Sequence, residues 1–158
     1  MAITTNDVWP VAPNFDDTPE GSQFVVKEFS DIDVKTADVS TLSAINNPRL
    51  CYYDTTAEKM KLCPKTGKKP TYIYLPGSCS GTVASFIPLG AKAYQVASTD
   101  DLGIGETVYT DDDGMITNSG GSGQFAVGFS RSATPATIGE VQGALVLFQP
   151  YQPQPYSA

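Results

Sequence analysis

Few residues in this 158-residue chain have the types and spacing that chemistry needs. Gly77-Ser-Cys-Ser-Gly81 has the G-x-C-x-G spacing of a nucleophile elbow, where a thiol on a sharp turn meets a base. That base is ordinarily histidine, and the sequence has none. Its absence removes the Ser-His-Asp and Cys-His arrangements and most zinc and iron sites. Pro76 precedes the motif, so it reads as a turn of small residues. The acids Asp100, Asp101, Glu106, Asp111, Asp112 and Asp113 supply hard oxygen ligands of the kind calcium takes. Their spacing departs from the twelve-residue calcium loop, which ends in glutamate. Asp runs of this kind more often form turns, with side chains bonding nearby backbone donors. A glycosidase pair would need a carboxylate separation that sequence cannot supply.

The cysteines point the same way. Cys51, Cys63 and Cys79 are an odd set for a disulfide framework and contain no Cys-x-x-Cys pair. Cys51 and Cys63 could face each other across a hairpin, but in a reducing compartment they read as small buried thiols. Gly103-x-Gly105 and Gly120-Gly121-x-Gly123 lack the strand-turn-helix setting of a phosphate loop. The expectation is a protein that is not an enzyme, with no cofactor and no metal.

The net charge of −7 and pI of about 4.3 give a surface that repels phosphate backbones and anionic lipid. Nucleic acid and membrane are therefore not expected as partners. No apolar run approaches the roughly 20 residues that span a bilayer. The N-terminus lacks the basic-then-apolar order of a secretory signal, so synthesis in the cytosol is the expectation. The charge is uneven. Residues 1–40 are acidic, while Lys59, Lys61, Lys65, Lys68 and Lys69 gather within a few residues. Solvated surfaces are the favoured reading, with Lys65, Lys68 and Lys69 as candidate contacts for an acidic partner.

The elements that would position these groups are mostly strands. Residues 1–22 read as an extended arm, because Pro10, Pro13 and Pro19 oppose a helix. Val8, Trp9, Val11 and Phe15 within it are too apolar for a disordered tail and are candidate partner contacts. Residues 23–149 read as one β-rich domain. Strands are expected at Gln23–Phe29, Leu50–Tyr53, Lys59–Leu62, Thr71–Leu75, Ala91–Ala97, Glu106–Thr110, Met115–Thr117, Gln124–Ser130 and Glu140–Gln149. Val39, Leu42 and Ile45 recur every three residues between Thr36 and Asn47, the pattern of a short helix capped by Thr36 or Asp38. Phe125, Val127 and Phe129 should share one strand face, with Ala126 and Gly128 on the other. Ala144–Phe148 is apolar on both faces, as in a central strand. Residues 150–158 read as a proline-rich tail of polyproline II character, with Tyr151 and Tyr156 as candidate contacts. The fold class is mainly β: a compact barrel or sandwich, one short helix, and extended N- and C-terminal arms.

Within residues 86–149 the pattern Gly105-x-x-Val108, Asp113-Gly114, a Gly-rich stretch, Phe125-Ala-Val-Gly128, Gly139-x-Val141 and Val146-Leu147 resembles the capsid decoration, or cement, proteins of tailed bacteriophages and prophages. The resemblance implies a virion structural protein without an enzymatic site. It implies a place on the outside of the mature head, a major capsid protein as partner, and resistance to the pressure of packaged DNA. It also implies assembly in the host cytoplasm, usually as a homotrimer, with a dimer as the alternative. Two other readings stay open. One is a tail or head-fibre component that recognises a host glycan through Tyr52, Tyr53, Tyr72 and Tyr74, although strand tyrosines are more often half-buried sheet residues. The other is a carboxylate-dependent hydrolase.

Overall fold

A computed structural model of the chain describes residues 32–90, 93–133 and 144–157. The chain divides between Asp33 and Val34, and the account below concerns the unit from Val34 onward. The expected N-terminal arm and the expected strand at 23–29 lie outside the described residues, as do residues 140–143 of the expected last strand. The described protein is mainly β, with one short α-helix.

Strands β1 (Asp33–Thr36), β2 (Arg49–Asp54), β3 (Lys59–Leu62), β4 (Tyr72–Tyr74) and β5 (Val83–Pro88) form a sheet in the order β1-β5-β4-β2-β3. The sheet curls until its ends meet: Ala37, just after β1, bridges Met60 of β3, and the Asp38 N–H donates to the Met60 carbonyl at 2.9 Å. Curling of this kind follows from strand twist and removes an exposed edge. One face holds a core of Cys51, Met60, Tyr74, Ala84 and Phe86. An α-helix, α1 (Val39–Leu42), the one found among the described residues, closes it with Leu42, and Val39 and Ile45 pack alongside. The expected helix is thus present but short. Asp38 is its N-cap, yet its carboxylate takes hydroxyl donors from Ser40 and Thr41 instead of helix N–H groups. The alternate residues Leu50, Ile73 and Ile87 pair across three strands and are buried on the other face. Both faces of the sheet are therefore covered, which explains strands apolar at nearly every position.

The β2–β3 hairpin turns at Asp54, whose carboxylate accepts the Thr56 and Ala57 N–H groups at 2.9 and 3.1 Å. This is the local bonding that makes aspartate a turn residue. The register sets Cys51 opposite Leu62, so Cys63 lies beyond the ladder, and both cysteines are buried free thiols.

Strands β6 (Tyr94–Ser98), β7 (Thr107–Thr110), β8 (Ile116–Thr117), β9 (Phe125–Ser130) and β10 (Ala144–Pro155) close into a barrel in the order β10-β6-β8-β7-β9. β10 lies between β6 and β9 in the barrel order: it pairs with β6 through Ala144–Phe148 and with β9 from Phe148 on, and the two pairings overlap at Phe148. Asp113-Gly114 lies in a one-turn 3-10 helix (Asp112–Gly114) between β7 and β8. Both residues have positive φ, 57° and 74°.

Two expectations are corrected here. The register skips Val127 against β7, which advances only from Val108 to Tyr109 while β9 passes from Gly128 to Ala126; against β10 the extra residues lie on β10, between Pro150 and Gln154. A residue left out of the pairing is a β-bulge, and it breaks the two-residue alternation. Val127 is buried while Phe129 is 39% exposed, so the expected alternation does not run unbroken through Phe125, Val127 and Phe129. Nor does the chain become a separate tail at residue 150. Residues 150–155 continue β10 and pair with β9 through Gln154–Ala126 and Pro155–Phe125. Proline cannot donate to a ladder and is tolerated in strands only where one side is free. Pro150, Pro153 and Pro155 all follow Phe148, where pairing with β6 has ended.

Gly114 tests the packing between sheet and barrel. A Cβ there would lie 2.4 Å from the Leu50 carbonyl oxygen, and φ is already in the left-handed region. Backbone strain and overpacking together should make Gly114→Ala destabilising by about 3 kcal/mol, read from urea unfolding. Deleting residues 150–158 should lower stability by at least ~2 kcal/mol, because ladder bonds and an aromatic contact are lost. Melting that is unchanged by the deletion would contradict the strand assignment.

Candidate interaction surface

The lysine loop leaves β3 and is held against the barrel through its backbone. Thr110 Oγ1 donates to the Lys65 carbonyl at 2.8 Å, the Gly67 N–H donates to Gly123 at 3.0 Å, and the Cys63 thiol donates to the Lys68 carbonyl at 3.3 Å. The side chains lie outside on this fixed frame. Lys65 Nζ is 3.8 Å from Asp111 Oδ1, Lys68 Nζ stands 5.4 Å from the Tyr52 ring centroid, and Lys69 is exposed. Both Lys65 and Lys68 have surface partners worth little individually, so an acidic partner would displace them at small cost.

On the barrel wall, Thr107, Phe129 and Gln149 lie abreast on β7, β9 and β10. Tyr151 follows two residues after Gln149, in the stretch between Pro150 and Gln154 where the register with β9 shifts. Phe129 and Tyr151 are 39% and 41% exposed. Ile104, 75% exposed, precedes Gly105, whose N–H donates to Ser130 beside Phe129. These residues put apolar surface on a stiff wall. Tyr156 is placed differently. Its N–H donates to Gln124 at 2.9 Å, and its ring meets Tyr109 edge-on at 5.7 Å. Gly120 lets both rings close in: a Cβ there would be 2.7 Å from Tyr156 and 2.8 Å from Tyr109. Tyr151 is thus open to a partner, whereas Tyr156 packs on its own barrel. Val8, Trp9, Val11 and Phe15 lie outside the described residues.

The residues considered for chemistry hold turns together. Ser78 Oγ donates to the Leu75 carbonyl at 2.7 Å and accepts the Ser85 N–H at 2.9 Å. Cys79 Sγ lies 3.3 Å from the Tyr74 hydroxyl, and burial, then that contact, pushes the Tyr74 phenol up. A neutral phenol is no base for the thiol. Burial likewise pushes the Cys63 thiol up to about 12. Asp100 accepts from Thr117, Asp111 from Thr99, and Glu106 from the Gly103 N–H and Asn118. Those bonds, the Gly103 N–H first, hold the Glu106 carboxyl below its usual value. Among the described residues no group of three His, Cys, Asp or Glu side chains is placed to hold a metal ion.

Of the four strand tyrosines, Tyr74 is fully buried, Tyr52 and Tyr72 are half-buried, and Tyr53 is 44% exposed. Tyr53 and Tyr72 line an open groove with Lys35, Thr36, Glu58 and Met60. Tyr53 and Tyr72 were named from the sequence, but the groove they share with Lys35, Thr36, Glu58 and Met60 needs β1 brought round to β3, and the Phe129 face needs β7 and β10 set on either side of β9.

The hairpin at the groove's rim has a pH signature. The Lys61 ammonium, 2.9 Å away, together with the turn N–H groups, holds the Asp54 carboxyl at about 2, against 3.8 ordinarily. A depressed folded value means the support is present above the unfolded value and is lost as pH falls through the folded one. The Asp54 carboxyl resonance should therefore titrate near pH 2, with the turn amides following it. Asp54→Asn should remove that step, and titration near pH 4 would show that the contact is not formed. Comparison with protein-family models, with curated proteins and with solved structures finds no match to this chain.

Proposed function

We propose that this chain is a capsid decoration protein, which binds the outside of a mature phage head and stabilises it against internal DNA pressure. The observation that carries the reading is the barrel wall bearing Phe129 and Tyr151, with the fixed lysine loop elsewhere on the same unit. Exposed aromatics on rigid strands dock at low entropic cost. The lysines add attraction to an acidic capsid surface and set its orientation. The resemblance over residues 86–149 gives the partner its class, a major capsid protein, and its expected assembly, a homotrimer. Weak contacts of this size are multiplied when several copies engage one lattice.

The test is co-sedimentation with undecorated mature heads, with light scattering for the oligomer mass. The chain should bind, and binding should weaken as salt rises, because loop lysines are solvent-exposed. Phe129→Ala with Tyr151→Ala should weaken binding at least ~tenfold, and Lys65, Lys68 and Lys69 changed together to Glu should do likewise. No association with heads by sedimentation or electron microscopy would refute the proposal.

A further inference from the structure

The groove beside the β2–β3 hairpin is a second surface with its own chemistry. It has a volume of about 440 Å³ and is lined by Lys35, Thr36, Tyr53, Glu58, Met60 and Tyr72. Pairing sets Met60 opposite Tyr53 and Tyr72 opposite Cys51, so these side chains share the face that holds the sheet's core. Where the core ends, Met60 is fully buried and Tyr53 is 44% exposed. The groove thus has an apolar floor, an open aromatic ring and a polar rim, the make-up of a small-molecule site.

The rim decides the ligand class. Among the described residues of the lining, Lys35 and Glu58 carry opposite charges that balance. A phosphate or sulfate group would want a surplus of cations, and Glu58 opposes it. A ligand cation would seek an aromatic face, but Lys35 Nζ already stands 5.5 Å from the Tyr72 ring centroid and would repel it. What remains is a neutral molecule with one apolar face and a border of groups that both donate and accept. Lys35 only donates, ionised Glu58 only accepts, and Thr36 does both. A pyranose matches: its C–H face covers an aromatic ring, and its adjacent hydroxyls bond donor and acceptor alike.

The geometry points to a neutral-saccharide site in this groove, with the sugar stacked on Tyr53 and its hydroxyls held by Lys35, Thr36 and Glu58. This site is independent of the capsid reading, and its test uses the free chain without heads. Neutral mono- to tetrasaccharides are titrated into the full chain and followed by amide and aromatic NMR shifts. The changes should cluster at Tyr53, Tyr72 and the 54–59 turn. Tyr53→Ala should weaken binding about tenfold, and Glu58→Gln, at an exposed turn position, several-fold without a change in melting. No shifts at these residues with any neutral sugar at millimolar concentration would overturn the inference. So would binding that survives both substitutions, or binding confined to sulfated or sialylated glycans and lost with Lys35→Met.

Discussion

One buried cation joins the two halves of the described unit. Arg49 is fully buried at the start of β2. Its Nε donates to Asn47 Oδ1 and its Nη1 to the Asp113 carbonyl, each at 2.7 Å. Burial lowers its affinity for the proton, and the nearby Asp113 opposes that shift. A guanidinium stays charged even so, and a charge out of water is tolerated only where acceptors meet it. One acceptor belongs to the sheet's side of the junction and the other to the barrel's 3-10 turn. Separating the halves would leave the cation short of an acceptor, a loss larger than that of an ordinary surface contact. The left-handed Asp113-Gly114 pair serves the same junction: it presents the Asp113 carbonyl to Arg49, and the Gly114 N–H donates to Cys63 at 2.8 Å. Ala97 to Pro48, Gly67 to Gly123 and Thr110 to Lys65 complete the seam.

That seam gives the surfaces their stiffness. The lysine loop has no regular structure of its own, yet three backbone groups anchor it to neighbours. The barrel wall is held by pairing on both sides of β9. A face fixed before it meets a partner loses less freedom on docking than a loop that must order itself. The same logic serves the groove, whose floor is the end of a packed core and whose rim is a turn locked by Asp54.

Much of the fold was legible in the sequence, because local chemistry and final structure agree over most strands. The Asp/Gly turns, the hairpin around Asp54 and the doubly apolar run from Ala144 all carry signals within a few residues. What was hidden depends on distant partners. A lone arginine between Pro48 and Leu50 reads as surface, and only the approach of Asp113 makes burial tolerable. Val127 reads as one more alternating apolar residue, and the bulge that leaves it out of the pairing shows only in its register with β7. The Pro-rich end reads as polyproline II because the φ of proline suits that helix and an edge strand equally. Of the candidate contacts, the lysines and Tyr151 were visible as types, but Tyr156 shows its role only once Gly120 and Tyr109 lie beneath it.

The barrel's five seams are unequal. β6 and β8 share a single parallel rung, Ser98 to Ile116, while β10 lies along β6 for five residues. Side chains reinforce the short seam: Thr99 Oγ1 donates to the Ile116 carbonyl at 3.3 Å, and Thr117 donates to Asp100. Such bonds are short in reach and open readily to water, whereas a ladder resists as a unit. The wall therefore has a grain. A load across the barrel would part it first between β6 and β8, leaving the β7-β9-β10 face intact, as a stave vessel gives at one joint and keeps its curve elsewhere.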